Sequence, residues 1–86
     1  MNVIRKVGEA IDALVVYRQR QTHPELRAFR WGGRRYDVAA TNLVHVEREG
    51  ETIHLCYSVS AAGEHFHVRL NTRSNQWTLD EIEIES

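Results

Sequence analysis

Four side chains in the middle of this chain are of types that hold a metal ion: His45, His54, Cys56 and His67. Imidazole nitrogen and thiolate sulfur are the common zinc ligands. Each of the four stands between apolar residues in a stretch of strict alternation, so in strands all four point away from the apolar face. Two-residue closure at Glu49-Gly50 would set Val46 against Ile53 and Val44 against Leu55. A four-residue loop from Ser60 to Gly63 would set Tyr57 against Phe66 and Leu55 against Val68. In that register His45 lies opposite His54, Cys56 lies opposite His67, and His65 is one pair further along. Side chains across a pair of strands, or two apart on one strand, sit about 4.5–7 Å apart, within reach of one shared ion. The competing arrangement packs the N-terminal segment over this face, leaving Cys56 inert and the histidines as a polar rim.

A second set is cationic. Phe29-Arg30-Trp31-Gly32-Gly33-Arg34-Arg35-Tyr36-Asp37-Val38 reads as two strands joined by a Gly-Gly turn. That pair reaches the left-handed dihedrals of a type I′ turn without a Cβ penalty. Trp31 then faces Arg34, Arg30 faces Arg35 and Phe29 faces Tyr36. One face carries Phe29, Trp31, Tyr36 and Val38, and the other carries Ala28, Arg30, Arg35 and Asp37. Arg30 and Arg35, with Arg18 or Arg20 adjacent, would form an anion-binding surface. Paired guanidiniums take a phosphate bidentately, and exposed aromatics stack on bases. The plainer alternative is that the aromatics are core and the arginines are solvated or paired with C-terminal acids.

The elements that must position these groups are strands. Val44 and Val46 alternate with Leu43, His45 and Glu47. Ile53, Leu55, Tyr57 and Val59 alternate with Thr52, His54, Cys56 and Ser58. Phe66, Val68 and Leu70 follow, and a turn at residues 72–75 sets Leu70 against Trp77 and Val68 against Leu79. All three hairpins agree in phase, so Val46, Leu55, Val68 and Leu79 should be buried on one side. The phase slips before Ile82 and Ile84, which a bulge near Asp80-Glu81 would explain. Glu81, Glu83 and Glu85 read as a solvated edge strand. Ala39-Ala40-Thr41-Asn42 reads as a bend. Upstream, Gln19 to Glu25 is a connection, because the residue before Pro24 is pushed out of the helical region, and Asp12 to Arg18 reads as a strand. Asn2 to Ala10 stays open between helix and strand. Val3, Ile4, Val7, Ile11, Leu14 and Val15 recur at helical spacing, while Gly8 interrupts them. The fold class is all-β: a small antiparallel meander of five to seven strands, curled into an open barrel or two-layer sandwich.

Eighty-six residues make one domain, residues 1–86. At 42% hydrophobic and 27% charged the composition is that of a soluble globular chain. The first residues carry two charges and no long apolar run follows, which predicts neither a signal peptide nor a membrane span. The single Cys56 leaves no internal disulfide and fits a reducing, cytoplasmic setting. Net charge is −1, against a uniformly basic nucleic-acid binder, but residues 1–43 carry eight Lys/Arg and four acids, and residues 44–86 carry three and eight. Such a bipolar chain suits oppositely charged strands meeting in the fold or across an oligomer.

The run Phe29-x-Trp31-x-Gly33-Arg34-x-Tyr36-x-Val38, with Tyr57-x-Val59, Phe66-x-x-x-Leu70 and Trp77-x-Leu79, resembles a family of short uncharacterised bacterial all-β domains. Members of that family are often encoded near Y-family (translesion) DNA polymerases. The likeness spans roughly residues 9 to 82. It implies an all-β fold and a setting in nucleic-acid metabolism, and it transfers no catalytic residue. The connection at His23-Pro24 and the central histidines depart from the family pattern.

No phosphate-binding glycine loop, nucleophile elbow or Cys-x-x-Cys pair occurs in the sequence. The expectation is therefore a binding module and not an enzyme, contacting nucleic acid or an acidic protein surface through the arginine face. The first alternative is a metal-binding domain, with zinc as the one cofactor implied. The second is a homodimer assembled through exposed strands.

Overall fold

A computed structural model describes residues 2–85. Six antiparallel strands follow one another around a closed ring: β1 (Asn2–Val16), β2 (Glu25–Trp31), β3 (Arg34–Glu49), β4 (Thr52–Ala61), β5 (Glu64–Asn71) and β6 (Gln76–Glu85). The all-β meander is as expected. The N-terminal segment, ambiguous in sequence between helix and strand, belongs to one continuous 15-residue strand. Val7 and Gly8 lie between the pairs Lys6↔Glu81 and Glu9↔Leu79, where the ladder is irregular. Gly8 has φ +67°, the left-handed conformation that such a bulge uses. A glycine that argued against a helix thus turns out to sit at a kink in a strand.

Two long strands make the ring. Residues Asn2 to Ile11 of β1 pair with β6 and Asp12 to Val16 with β2. The glutamate-rich β6 is therefore not an edge: β5 lies on one side of it and β1 on the other, because the ring closes there. The first residues of β3 pair with β2 and the remainder with β4. The expected bend at Ala39 to Asn42 is instead a pair of register shifts inside a continuous β3, between Val38 and Ala40 and between Thr41 and Leu43. Two single-residue shifts cancel in parity, so Val38 and Val44 both pack against the core.

The turns decide the register. Gly32 (φ +60°) and Gly33 (φ +74°) close the first hairpin as a type I′ turn requires, with Phe29↔Tyr36, Arg30↔Arg35 and Trp31↔Arg34 as expected. The second hairpin closes on Gly50-Glu51, not on Glu49-Gly50. Gly50 (φ +60°) takes the first central position, where a type II′ turn places its glycine. The third closes on Ala62 (φ 50°) and Gly63 (φ 75°), a two-residue turn in place of the four-residue loop. Val46 therefore meets Leu55, Val44 meets Tyr57, Tyr57 meets Val68 and Val59 meets Phe66. Both corrections move partners by two residues, which leaves every side chain on its expected face. The turn at 72–75 holds Leu70↔Trp77 and Val68↔Leu79, and Asp80 is the extra residue of the bulge before Ile82.

Leu26, Phe29, Tyr57, Val59, Phe66, Val68 and Leu79 form the interior, with Trp77 and Ile82. Phe29 stacks on Tyr36 at 5.2 Å and meets Phe66 edge-on at 5.1 Å. Leu55 is only partly buried, and Val46, expected in the core, is 63% exposed. The outer half of β3 runs past the covered part of the sheet. Ala28, expected outward, is buried but lies outside the core cluster. The connection before β2 closes one end of the ring: Pro24 is buried, its carbonyl accepts from Tyr57 Oη at 2.6 Å, and His23 meets the Tyr57 ring edge-on.

Candidate functional site

The two candidate sites occupy different parts of the ring. On the first hairpin, direct pairing across β2 and β3 places Arg30 and Arg35 side by side, both exposed, over a hollow of about 230 Å³ shared with Asp12 and Leu14. Arg35 Nε donates to Asp37 Oδ1 at 2.9 Å, and Asp12 is the β1 partner of Arg30. Arg18 does not join them. Its Nε donates to Glu25 at 2.8 Å, and Arg27 reaches the same carboxylate at 3.3 Å, at the far end of β2 from Arg30. The hydrogen bond from Arg18 holds the Glu25 carboxyl below its ordinary range. Arg20 sits exposed in the loop between β1 and β2 with φ +71°.

The other face of that hairpin gathers groups that the sequence pattern alone does not combine. Glycine closure puts Arg34 and Tyr36 on one face of β3, and the Arg34 guanidinium lies 4.8 Å from the Tyr36 ring centroid. From β1, the Arg5 guanidinium lies 5.6 Å from the Trp31 ring, and Trp31 Nε1 donates to the Glu9 carboxylate. Trp31 and Tyr36 are half-buried, 6.4 Å apart. Arg34 was legible as the residue two before Tyr36 on a strand. Arg5 was not, because its position depends on β1 closing the ring.

On the outward face of β3, β4 and β5 the corrected register regroups the histidines. His45 faces Cys56 directly, and Glu47, not His45, faces His54. His67 faces Ser58, and Cys56 meets Arg69 on β5. Ligand atoms of His45, Glu47 and Cys56 all lie within 4.8 Å of one another. His45 Nε2 donates to Glu47 Oε1 at 3.3 Å, and that bond holds the Glu47 carboxyl low. Burial, and then the Glu47 charge, push the Cys56 thiol up to about 11. A hollow of about 390 Å³ beside the three is also lined by Lys6, His67 and Asp80.

His54 and His67 are engaged elsewhere. His54 Nε2 is 3.8 Å from Glu49, and its Nδ1 is buried without a partner among the described residues. His67 Nδ1 shares a 3.1 Å hydrogen bond with Ser58 Oγ, and its Nε2 is 3.9 Å from Glu83. The N-terminal segment does not cover this face, because it pairs edge to edge with β6. Lys6 reaches across to Glu81 at 2.6 Å, which raises the lysine's pKa. Among the described residues that ion pair is where the cationic first half meets the C-terminal acids; the first-hairpin arginines do not. No family model, curated protein or solved structure matches the chain. Among the described residues no helix is long and apolar enough to cross a membrane.

Proposed function

We propose that the chain is a binding module for single-stranded nucleic acid and that the first hairpin is its contact surface. One observation carries the reading. Four guanidiniums meet at the Gly32-Gly33 turn, Arg30 and Arg35 paired on one face of the hairpin and Arg5 and Arg34 over the half-buried Trp31 and Tyr36 rings on the other, and among the described residues only Arg35 of these four has a carboxylate within 4.0 Å. Guanidiniums suit phosphate, and the half-buried Trp31 ring is of the kind on which bases stack regardless of sequence. The hairpin is held by a tight turn and packed through Phe29, so the cluster is presented on a stiff support. The resemblance to domains encoded beside translesion polymerases points to the same ligand class. A second reading, a homodimer, is favoured by the outer half of β3, where Leu43 is 56% and Val46 63% exposed.

Titration of labelled single-stranded DNA at low salt tests the first reading. Wild type should bind with an affinity that falls steeply as salt is added, since released counterions drive association. The Arg30→Glu/Arg35→Glu double variant should bind at least about tenfold more weakly, with a salt slope shallower by roughly 0.7 for each phosphate no longer neutralised. Both positions are exposed, so the variant should fold. Equal affinity for the two proteins, or binding by neither, overturns the reading.

A further inference from the structure

The geometry points to a second, independent site: we propose that His45, Glu47 and Cys56 form a binding site for a zinc-class divalent cation on the outward face of β3 and β4. The three donors come from two adjacent strands, with His45 and Cys56 a directly opposed pair and Glu47 the next outward residue along β3. Their ligand atoms already lie within 4.8 Å of one another. Donors around a tetrahedral zinc, with bonds of about 2.0–2.3 Å, are separated by roughly 3.3–3.7 Å. Contraction of about an ångström therefore suffices, which side-chain rotation supplies without moving the ladder.

The donor set also selects the ion. One nitrogen, one oxygen and one sulfur donor suit zinc or cobalt, whereas the all-oxygen preference of magnesium and calcium is not met. A thiolate and a carboxylate together match the charge of a dication. Three protein ligands leave a fourth position, and the hollow lined by Lys6, His67 and Asp80 opens beside it. A site of that kind keeps water or a small donor on the metal. His54 is not part of the set. It lies opposite Glu47 in the ladder, but its side chain is only 12% exposed and is directed to Glu49. The site shares no ligand with the first hairpin, so it stands or falls apart from nucleic-acid binding.

Cobalt(II) added to untagged, chelator-treated protein reads the proposal directly. Wild type should develop the near-ultraviolet thiolate-to-cobalt absorption of a sulfur-ligated site, and added zinc should displace it. Cys56→Ser should lose that absorption, while His54→Ala should keep it. In thermal unfolding, a hundredfold excess of free zinc over Kd should raise the wild-type Tm by about 10–20 °C relative to chelator. His45→Ala and Glu47→Gln should lose most of that rise. No absorption in wild type, absorption that survives Cys56→Ser, or a Tm rise undiminished in His45→Ala would overturn the site. Loss of the signal in His54→Ala would overturn this ligand set. The wild-type cobalt spectrum decides the matter even if a variant folds poorly.

Discussion

Tyr57 shows what a single polar atom does in the interior of this ring. The residue is 1% exposed, and its hydroxyl donates to the Pro24 carbonyl at 2.6 Å. Burial, and then the nearby Tyr17 phenol, push its ionisation from 10.0 up to about 12. In the unfolded chain the phenol ionises first, so unfolding releases a proton between those two values. The stability contributed by neutral Tyr57 is complete below pH 10 and is lost as pH rises through 12. Two pH units correspond to about 3 kcal/mol. Tyr57→Phe should be less stable at neutral pH by about 1–3 kcal/mol, because the Pro24 carbonyl loses its donor. Its stability should then decline less steeply than wild type above pH 10. Denaturant unfolding at several pH values compares the slopes, and parallel curves would take Tyr57 out of the alkaline transition.

The first strand shows how an element hides. Arg5 pairs with Ile82 and Glu9 with Leu79, so both charged residues occupy inward positions of β1, at the mouth where Trp31 sits. Those charges break the alternation of Val3, Val7, Ile11, Ala13 and Val15, while exposed Ile4 and Leu14 supply a false helical spacing. The bulge at Gly8 is testable. A Cβ built there meets no heavy atom within 4 Å, so substitution costs backbone strain and no steric clash. Gly8→Ala should destabilise by about 1–2 kcal/mol, Gly8→Asn by less and Gly8→Val by more. Urea midpoints order the three, and equal costs for Asn and Val would refute a strained left-handed position. Elsewhere the alternation was plain, because β4 and β5 bury one regular face each and β6 does so on either side of its bulge at Asp80. Of the four metal-type residues expected together only His45 and Cys56 meet; His54 and His67 are turned to other partners, and Glu47 went unmarked because the expected register did not set it beside Cys56. A Glu-Gly-Glu turn permits closure with glycine first or second, and only the dihedrals choose between His54 and Cys56 as the partner of His45.

At the scale of the whole molecule the ring is incomplete as a hydrogen-bonded cylinder. Asn2 to Lys6 of β1 pairs with β6 on one side, and Leu43 to Glu49 of β3 pairs with β4 on one side; among the described residues neither stretch has a partner on its other edge. Free edges with exposed apolar residues are where chains pair with copies of themselves. On the dimer reading, light scattering should give twice the monomer mass at high concentration, and Val46→Lys should shift the equilibrium to monomer. A monomer at every concentration removes that reading. The glutamates and arginine that end β3, Glu47 to Glu49, would keep such pairing selective.

Joining β6 to β1 has a consequence for how the chain is made. The first strand pairs with the last: Asn2 with Glu85 and Ile11 with Trp77. During vectorial synthesis β1 leaves the ribosome long before its partner exists, carrying exposed Val3 and Ile4 on an unpaired strand. The β3–β4–β5 hairpins can form as they emerge, since their contacts are local. Ring closure must wait until β6 has emerged, and until then the nascent chain presents an open edge to whatever chaperone or neighbouring chain arrives first.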